Sequence, residues 1–196
     1  MPRTSAHTSA KIIEAAMRHF WQHGYRATSM DDLVKATGGN RHAIYSGVGS
    51  KSDLYQLGFA AYRRAIVDPA IAHVEAPDAN LASIARYFET QIALAEHSGL
   101  PGPGCLIANA MTETAPSDPQ IATEVLAHNS RLKAVFVGAL TNEGSTLTTS
   151  ELEALSDFIV ITAQGLWSMS RTVTTAAPLR AHVSTLMSLL QRRLTP

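Results

Sequence analysis

Asn40, Arg41, His42, Ala43 and Tyr45 crowd into one short stretch and share one kind of chemistry. Arginine pairs with O6 and N7 of guanine, and asparagine and histidine exchange hydrogen bonds with base edges. A small alanine lies against a thymine methyl, and a tyrosine reaches a phosphate. Side chains read bases this way only when a rigid element carries them into a groove, so the surrounding residues must supply one. Asn40 is a good cap for a short helix from Arg41 to about Gly47, with Ile44 as its inward residue. Before it, Ser29 and Asp32 form a capping pair for a helix to about Thr37, with Met30, Leu33 and Val34 along one face. Gly38-Gly39 separates the two, because glycine takes positive φ without a Cβ clash. Two short helices on a tight glycine turn outline a helix-turn-helix. The helix starts at Ser29 and Asn40 also present free N–H groups and a positive dipole end to phosphate. On these residues alone, a helical hairpin with a polar, solvated face fits equally well.

The charge distribution favours an anionic partner at one end. The 196-residue chain has a net charge of zero. Residues 1–67 hold nine Lys or Arg against four Asp or Glu, whereas residues 68–196 hold seven against twelve. That split of +5 and −5 is expected where only the N-terminal part meets a phosphate backbone. Hydrophobic residues make up 45% and charged residues 16%, which predicts a globular fold with a sizeable core. The sequence has no apolar run of membrane-spanning length and no signal-peptide pattern, and its single cysteine suits the cytoplasm.

Helical periodicity runs through the whole chain, and the expected fold class is all-α. Residues 1–7 read as a polar arm carrying Arg3 and His7, followed by a helix from about Thr8 to His23 with Ile13, Ala16, Met17 and Phe20 as its stripe. Ser50 and Asp53 cap a helix from Lys51 to about Val67, with Leu54, Leu57, Ala61 and Ala65 on one face. Asp68-Pro69 is expected to end it. Further helices are expected from Asn80 or Leu81 to His97, Cys105 to Thr114, Pro119 to Leu140, Ser150 to Val173, and Pro178 to Leu194. The last two are apolar on more than one side, which suggests burial against a second copy. His19 and His23 stand four apart, but without an acidic or cysteine partner at helical spacing they read as surface histidines.

Residues 12–54, about a quarter of the chain, resemble the DNA-binding region of the TetR family of bacterial transcription regulators. The resemblance rests on Phe20 at a helix end, Gly24-Tyr25, Ala27-Thr28-Ser29, Asp32-Leu33 and Gly38. It continues through Ala43-Ile44-Tyr45 and Gly49-Ser50-Lys51. The chain departs from the family at Ser46-Gly47-Val48, where an imidazole and aromatic rings are usual, so fewer phosphate contacts and a looser helix end are expected. The resemblance implies a three-helix DNA-binding domain over residues 1–50 and a helical ligand-binding and dimerisation domain over 51–196. It also implies a homodimer through the last two helices, and a repressor released from double-stranded operator DNA by a small molecule. Thr28, Ser29, Tyr45 and Lys51 are then expected to contact phosphates, with Asn40, Arg41 and His42 on base edges and Ala43 beside them.

A cavity among the middle helices is implied as well. Its candidate walls are Phe59, Tyr62, Phe88, Ile92, Asn109, Met111, Thr112, Glu113, Phe136 and Trp167, with Asn109 and Glu113 as the polar candidates. Cys105, at a helix start, is a candidate redox or electrophile sensor, since N–H groups there stabilise a thiolate. The plainer alternative is a small buried hydrophobe beside the Gly-Pro-Gly loop. No nucleophile motif, Gly-rich phosphate loop or metal cluster supports an enzyme, and no cofactor is expected. A dimeric ligand-binding protein with a degenerate DNA-binding head is the remaining alternative.

Overall fold

Runs of apolar residues spaced three and four apart fill most of the chain, and each folds as a helix; no strand occurs among the described residues. The computed structural model describes residues 3–195, with side chains from residue 9 onward. The helices are α1 (Arg3–His23), α2 (Met30–Thr37), α3 (Arg41–Gly47), α4 (Lys51–Tyr62), α5 (Asp68–Ile71) and α6 (Leu81–Ser98). They continue with α7 (Leu106–Glu113), α8 (Pro119–Thr141), α9 (Thr149–Met169) and α10 (Ala177–Leu194).

The expected polar arm is absent from residue 3 onward, because α1 already begins at Arg3. Neither Gly nor Pro interrupts residues 3–23, so a helix nucleated by the apolar stripe propagates backward at little cost. Residues 1 and 2 lie outside the described residues. Ser29 and Ser50 form the expected capping boxes with Asp32 and Asp53, and the Asn40 side chain accepts from the Ala43 N–H. Gly38 ends α2 at φ 66°, the left-handed conformation that fixes the angle between α2 and α3. Ile12, Ala16, Met17 and Phe20 of α1 bury against Leu33, Ile44 and Leu54, one from each of the next three helices. Fully burying side chains of this size stabilises by about 1.5–3 kcal/mol each.

Helix α4 departs from expectation twice. Its buried stripe is Leu54, Tyr55, Gly58, Phe59 and Tyr62, whereas Leu57 and Ala65 face outward. Gly58 lies against Met17, so α1 crosses α4 along that stripe. Nor does Asp68-Pro69 end the helix: a π turn, Arg63–Val67, carries it into α5. The Asp68 N–H donates to the Arg63 carbonyl five residues back. The widened turn accommodates a proline, which has no N–H to give and a ring that crowds the preceding turn.

In the C-terminal part α8 packs on α9, α6 packs on α8 and α10, and α7 sits between α4 and α8–α9. Helix α9 buries Leu152, Ile159, Val160, Ala163, Leu166 and Trp167 on one side and leaves Phe158, Ile161 and Met169 exposed on another. No helix among the described residues is long and apolar enough to cross a membrane.

Candidate functional site

Helix α3 hangs on Ile44, which is fully buried, and this turns the opposite face outward. Arg41, His42, Tyr45 and Ser46 are exposed there, and Ala43 is half-buried. The Arg41 guanidinium reaches back to the Asp31 carboxylate of α2 at 2.8 Å, with both side chains largely in solvent. Solvent screens such a pair, so the guanidinium exchanges it readily for another acceptor. The Asn40 carbonyl oxygen is occupied at the helix cap, and the Ser46 hydroxyl donates to the His42 carbonyl. Val48 caps α3 through its N–H and packs against the core.

The expected phosphate contacts divide. Tyr45 is half exposed, and Ser29 stands exposed at the start of α2 with its hydroxyl shared with Asp32. Thr28 is buried, and its hydroxyl donates to the Gly24 carbonyl at 2.6 Å, so it shapes the turn instead of facing solvent. The Lys51 ammonium lies 4.2 Å from the centre of the Tyr25 ring. Burial draws its pKa down, and the Glu113 carboxylate partly opposes this.

A cavity of about 470 Å³ opens among α1, α4–α5, α6, α8, α9 and the 99–105 loop. Of the expected wall residues, Tyr62 and Trp167 line it, and Cys105 does too. Phe59, Phe88, Ile92 and Phe136 are core residues, and Met111 and Thr112 lie away from it. The two polar candidates are engaged elsewhere. Asn109 donates to the Pro103 carbonyl, and Glu113 accepts from the N–H groups of Tyr25 and Arg26 at 3.1 and 2.8 Å. Glu113 therefore ties the end of α7 to the α1–α2 turn. Gln56–Gln120 and Arg63–Glu124 add links from α4 and the π turn to α8.

Sequence reading missed Trp21, Tyr87 and His128 as lining groups. The Trp21 indole N–H donates to the Gly104 carbonyl at 2.9 Å, which fixes the cavity loop to α1. Gly104 is required in that loop: φ is 71°, and a Cβ would stand 2.7 Å from the Trp167 carbonyl oxygen. His128 had a signal in the sequence. It occupies the stripe Ile121, Val125, His128, Leu132, Val135, a polar residue in an otherwise apolar seam.

Burial, aided by the Arg131 and Arg63 guanidinium groups, pushes His128 down from the ordinary 6.5 to about 4. Folding therefore binds fewer protons than the unfolded chain between those values, and stability falls as pH drops from about 6.5 toward 4. His128→Leu is expected to flatten that limb in chemical-denaturation curves taken at several pH values. A limb of unchanged slope would mean that His128 does not carry it. Burial also raises the Cys105 thiol, outweighing the Ala108 and Ile107 backbone groups and the Tyr62 hydroxyl. The balance runs opposite to the expected stabilised thiolate and keeps the thiol protonated.

Comparison with known proteins points in the direction of the α2–α3 geometry. Residues 12–57 match the family described as bacterial regulatory proteins, tetR family. The chain is 26% identical over 141 residues to the uncharacterized HTH-type transcriptional regulator YezE of Bacillus subtilis (strain 168), covering 71% of this chain and 72% of that protein. It is 31% identical over 111 residues to the HTH-type transcriptional repressor ComR of Escherichia coli (strain K12), covering 56% and 52%. A TetR transcriptional regulator from Chloroflexus aurantiacus J-10-FL superposes with a TM-score of 0.81 at 20% identity, covering 97% of each chain. A cysteine mutant of the TetR family regulator CifR, complexed with 26 bp of double-strand operator DNA, superposes at 0.77 and 20% identity, covering 91% and 94%.

Proposed function

Because this chain belongs to the tetR family of bacterial regulatory proteins, we propose that it is a cytoplasmic, homodimeric repressor that leaves its operator when a small molecule fills the cavity. The observation that carries the reading is α3, buried through Ile44 and presenting Arg41, His42 and Tyr45 on one exposed face behind the Gly38 turn. Two such helices in a dimer read half-sites about one helical turn apart, roughly 34–36 Å. The DNA-reading unit comprises residues 1–50 together with the first turns of α4, whose Leu54 and Tyr55 complete its core. The remainder of the chain binds the effector and the second copy.

Dimerisation through α9 and α10 accounts for the apolar residues that the protomer leaves uncovered on these two helices. Phe158, Ile161 and Met169 follow one face of α9, and Gly165 lies between them with open space above it. Leu189 is exposed on α10 among the small residues Ala181, Thr185 and Ser188.

Release requires the effector to favour a conformation in which the two α3 helices no longer match the half-sites. A coupling of about 1–3 kcal/mol is typical of such systems. The connecting parts are the Trp21–Gly104 hydrogen bond, which joins the cavity loop to the head, and the Glu113–Tyr25/Arg26 hydrogen bonds, which tie α7, the helix following that loop, to the α1–α2 turn.

The role assignment is tested on operator variants. Arg41→Ala should relax base preference at one position, at about 1–3 kcal/mol of lost discrimination, whereas Lys51→Ala should weaken every sequence alike and lower the salt slope by about one. Uniform losses from both variants would contradict it.

A further inference from the structure

The cavity's own walls restrict what can fill it, an argument that rests on reading the cavity as the effector site. Its flat faces are aromatic: Trp21 meets Tyr62 edge-on at 5.1 Å, and Trp167 lies 6.3 Å from Tyr87. A volume of about 470 Å³ suits a molecule of two or three rings. Among the described residues no Asp or Glu lines the cavity, so a cation would meet no counter-charge. The one lining group with a full charge, Arg18, is exposed and already paired with Glu14 at 3.0 Å.

An anion fares no better. The guanidinium groups nearest the inner wall are neutralised, Arg63 by Glu124 and Arg131 by Asp68 and Glu75. A carboxylate placed there would be desolvated without a free cation to receive it.

Gln22, Gln91 and Ser98 also line the cavity but stand nearer solvent, so the polar side chain to examine in its buried wall is His128. The Trp21 N–H is taken by the Gly104 carbonyl and the Ser170 hydroxyl by the Trp167 carbonyl, while the Tyr62 hydroxyl lies beside Cys105 and the Tyr87 hydroxyl beside Trp167. The His128 ring lines the cavity at 7% exposure, and no hydrogen bond to it is formed by any described residue. A neutral imidazole offers one N–H donor and one lone-pair acceptor, and a hydroxyl group answers either. A ligand that hydrogen-bonds this ring gains selectively over one that displaces solvent from it without doing so.

We propose that the cavity takes an uncharged, flat aromatic molecule carrying a hydroxyl group, and that His128 holds that hydroxyl. The aromatic walls supply general affinity for flat apolar rings, and His128 supplies the discrimination between them.

The test is calorimetric titration of the full-length protein with 2-naphthol, naphthalene, 2-naphthoate and (2-naphthyl)trimethylammonium at neutral pH. The expected result is 2-naphthol binding at least about tenfold more tightly than each of the others, the range of one buried hydrogen bond. In His128→Leu the preference should vanish while naphthalene binding persists, which also shows that the variant keeps its cavity; His128→Gln should restore part of it. Tightest binding of the cation or the carboxylate, equal binding of 2-naphthol and naphthalene, or an undiminished preference in His128→Leu would overturn the proposal. So would the absence of binding by every probe. Selective DNA binding measured on the same preparation separates the two readings: if it persists while the probes fail, the ligand assignment alone falls.

Discussion

Ile161→Glu is expected to convert the protein to a monomer and to lower its operator affinity by at least about 100-fold. Ile161 is 70% exposed in the protomer, so the substitution leaves the intramolecular core untouched. In the proposed dimer, however, the two-fold axis brings a second copy of the same face against it. Each glutamate would then be buried without a partner, at a cost of several kcal/mol. Half-site contacts that are additive in the dimer become independent in the monomer, and linking two sites is commonly worth 10²–10⁴ in affinity, about the loss expected here. Sedimentation should give half the wild-type mass with helical content preserved. An intact dimer would place the interface elsewhere.

Glu113→Ala is expected to separate effector binding from DNA release. Its carboxylate accepts two backbone N–H groups in the α1–α2 turn, and charge-assisted bonds of this kind contribute about 1.5–3 kcal/mol when shielded, less in a half-exposed turn such as this. Gly24 lets the carboxylate approach, since a Cβ there would stand 3.0 Å from it. Without this link the head keeps its fold, since its aromatic cluster of Phe20, Tyr25 and Tyr55 stays packed and the Tyr55 hydroxyl keeps its bond to Thr114 at the end of α7. Operator affinity should stay within about threefold of wild type. A molecule that weakens wild-type operator binding by about 5–150-fold should weaken the variant's by less than about threefold. Exchange of the Tyr25 and Arg26 amides should rise in parallel. An unchanged release ratio would assign the coupling to Trp21 and α4 instead.

Much of the head could be read from residue types because its determinants are local. Capping pairs such as Ser29–Asp32 and Ser50–Asp53, the Gly38 turn and the Ile44 anchor each act within a few residues. Departures occurred where a distant partner decides the outcome. Asn109 and Glu113 share a helix face as their spacing implies, but periodicity does not reveal what lies across that face, which proved to be Pro103 and the Tyr25–Arg26 backbone. The Asp68-Pro69 pair is a helix stop by local rules, yet the π turn absorbs the proline, and Arg131 of α8 grips Asp68 beyond it. Cys105 has the helix-start position of a reactive thiol, but it is buried beside Tyr62 of α4, an element far away in sequence.

A recognition helix exposed as α3 is should read a specific operator. Selection of bound fragments from sheared DNA of the source genome tests this directly, followed by titration of the recovered fragment and of unrelated DNA at several salt concentrations. Enrichment of a two-fold-symmetric site, bound at least about 10³-fold more tightly than unrelated DNA and with log K falling linearly in log[salt], is the predicted result. Recovery of no preferred site, with equal and weak binding to all fragments, would contradict it and leave a helical ligand-binding dimer whose head no longer reads DNA.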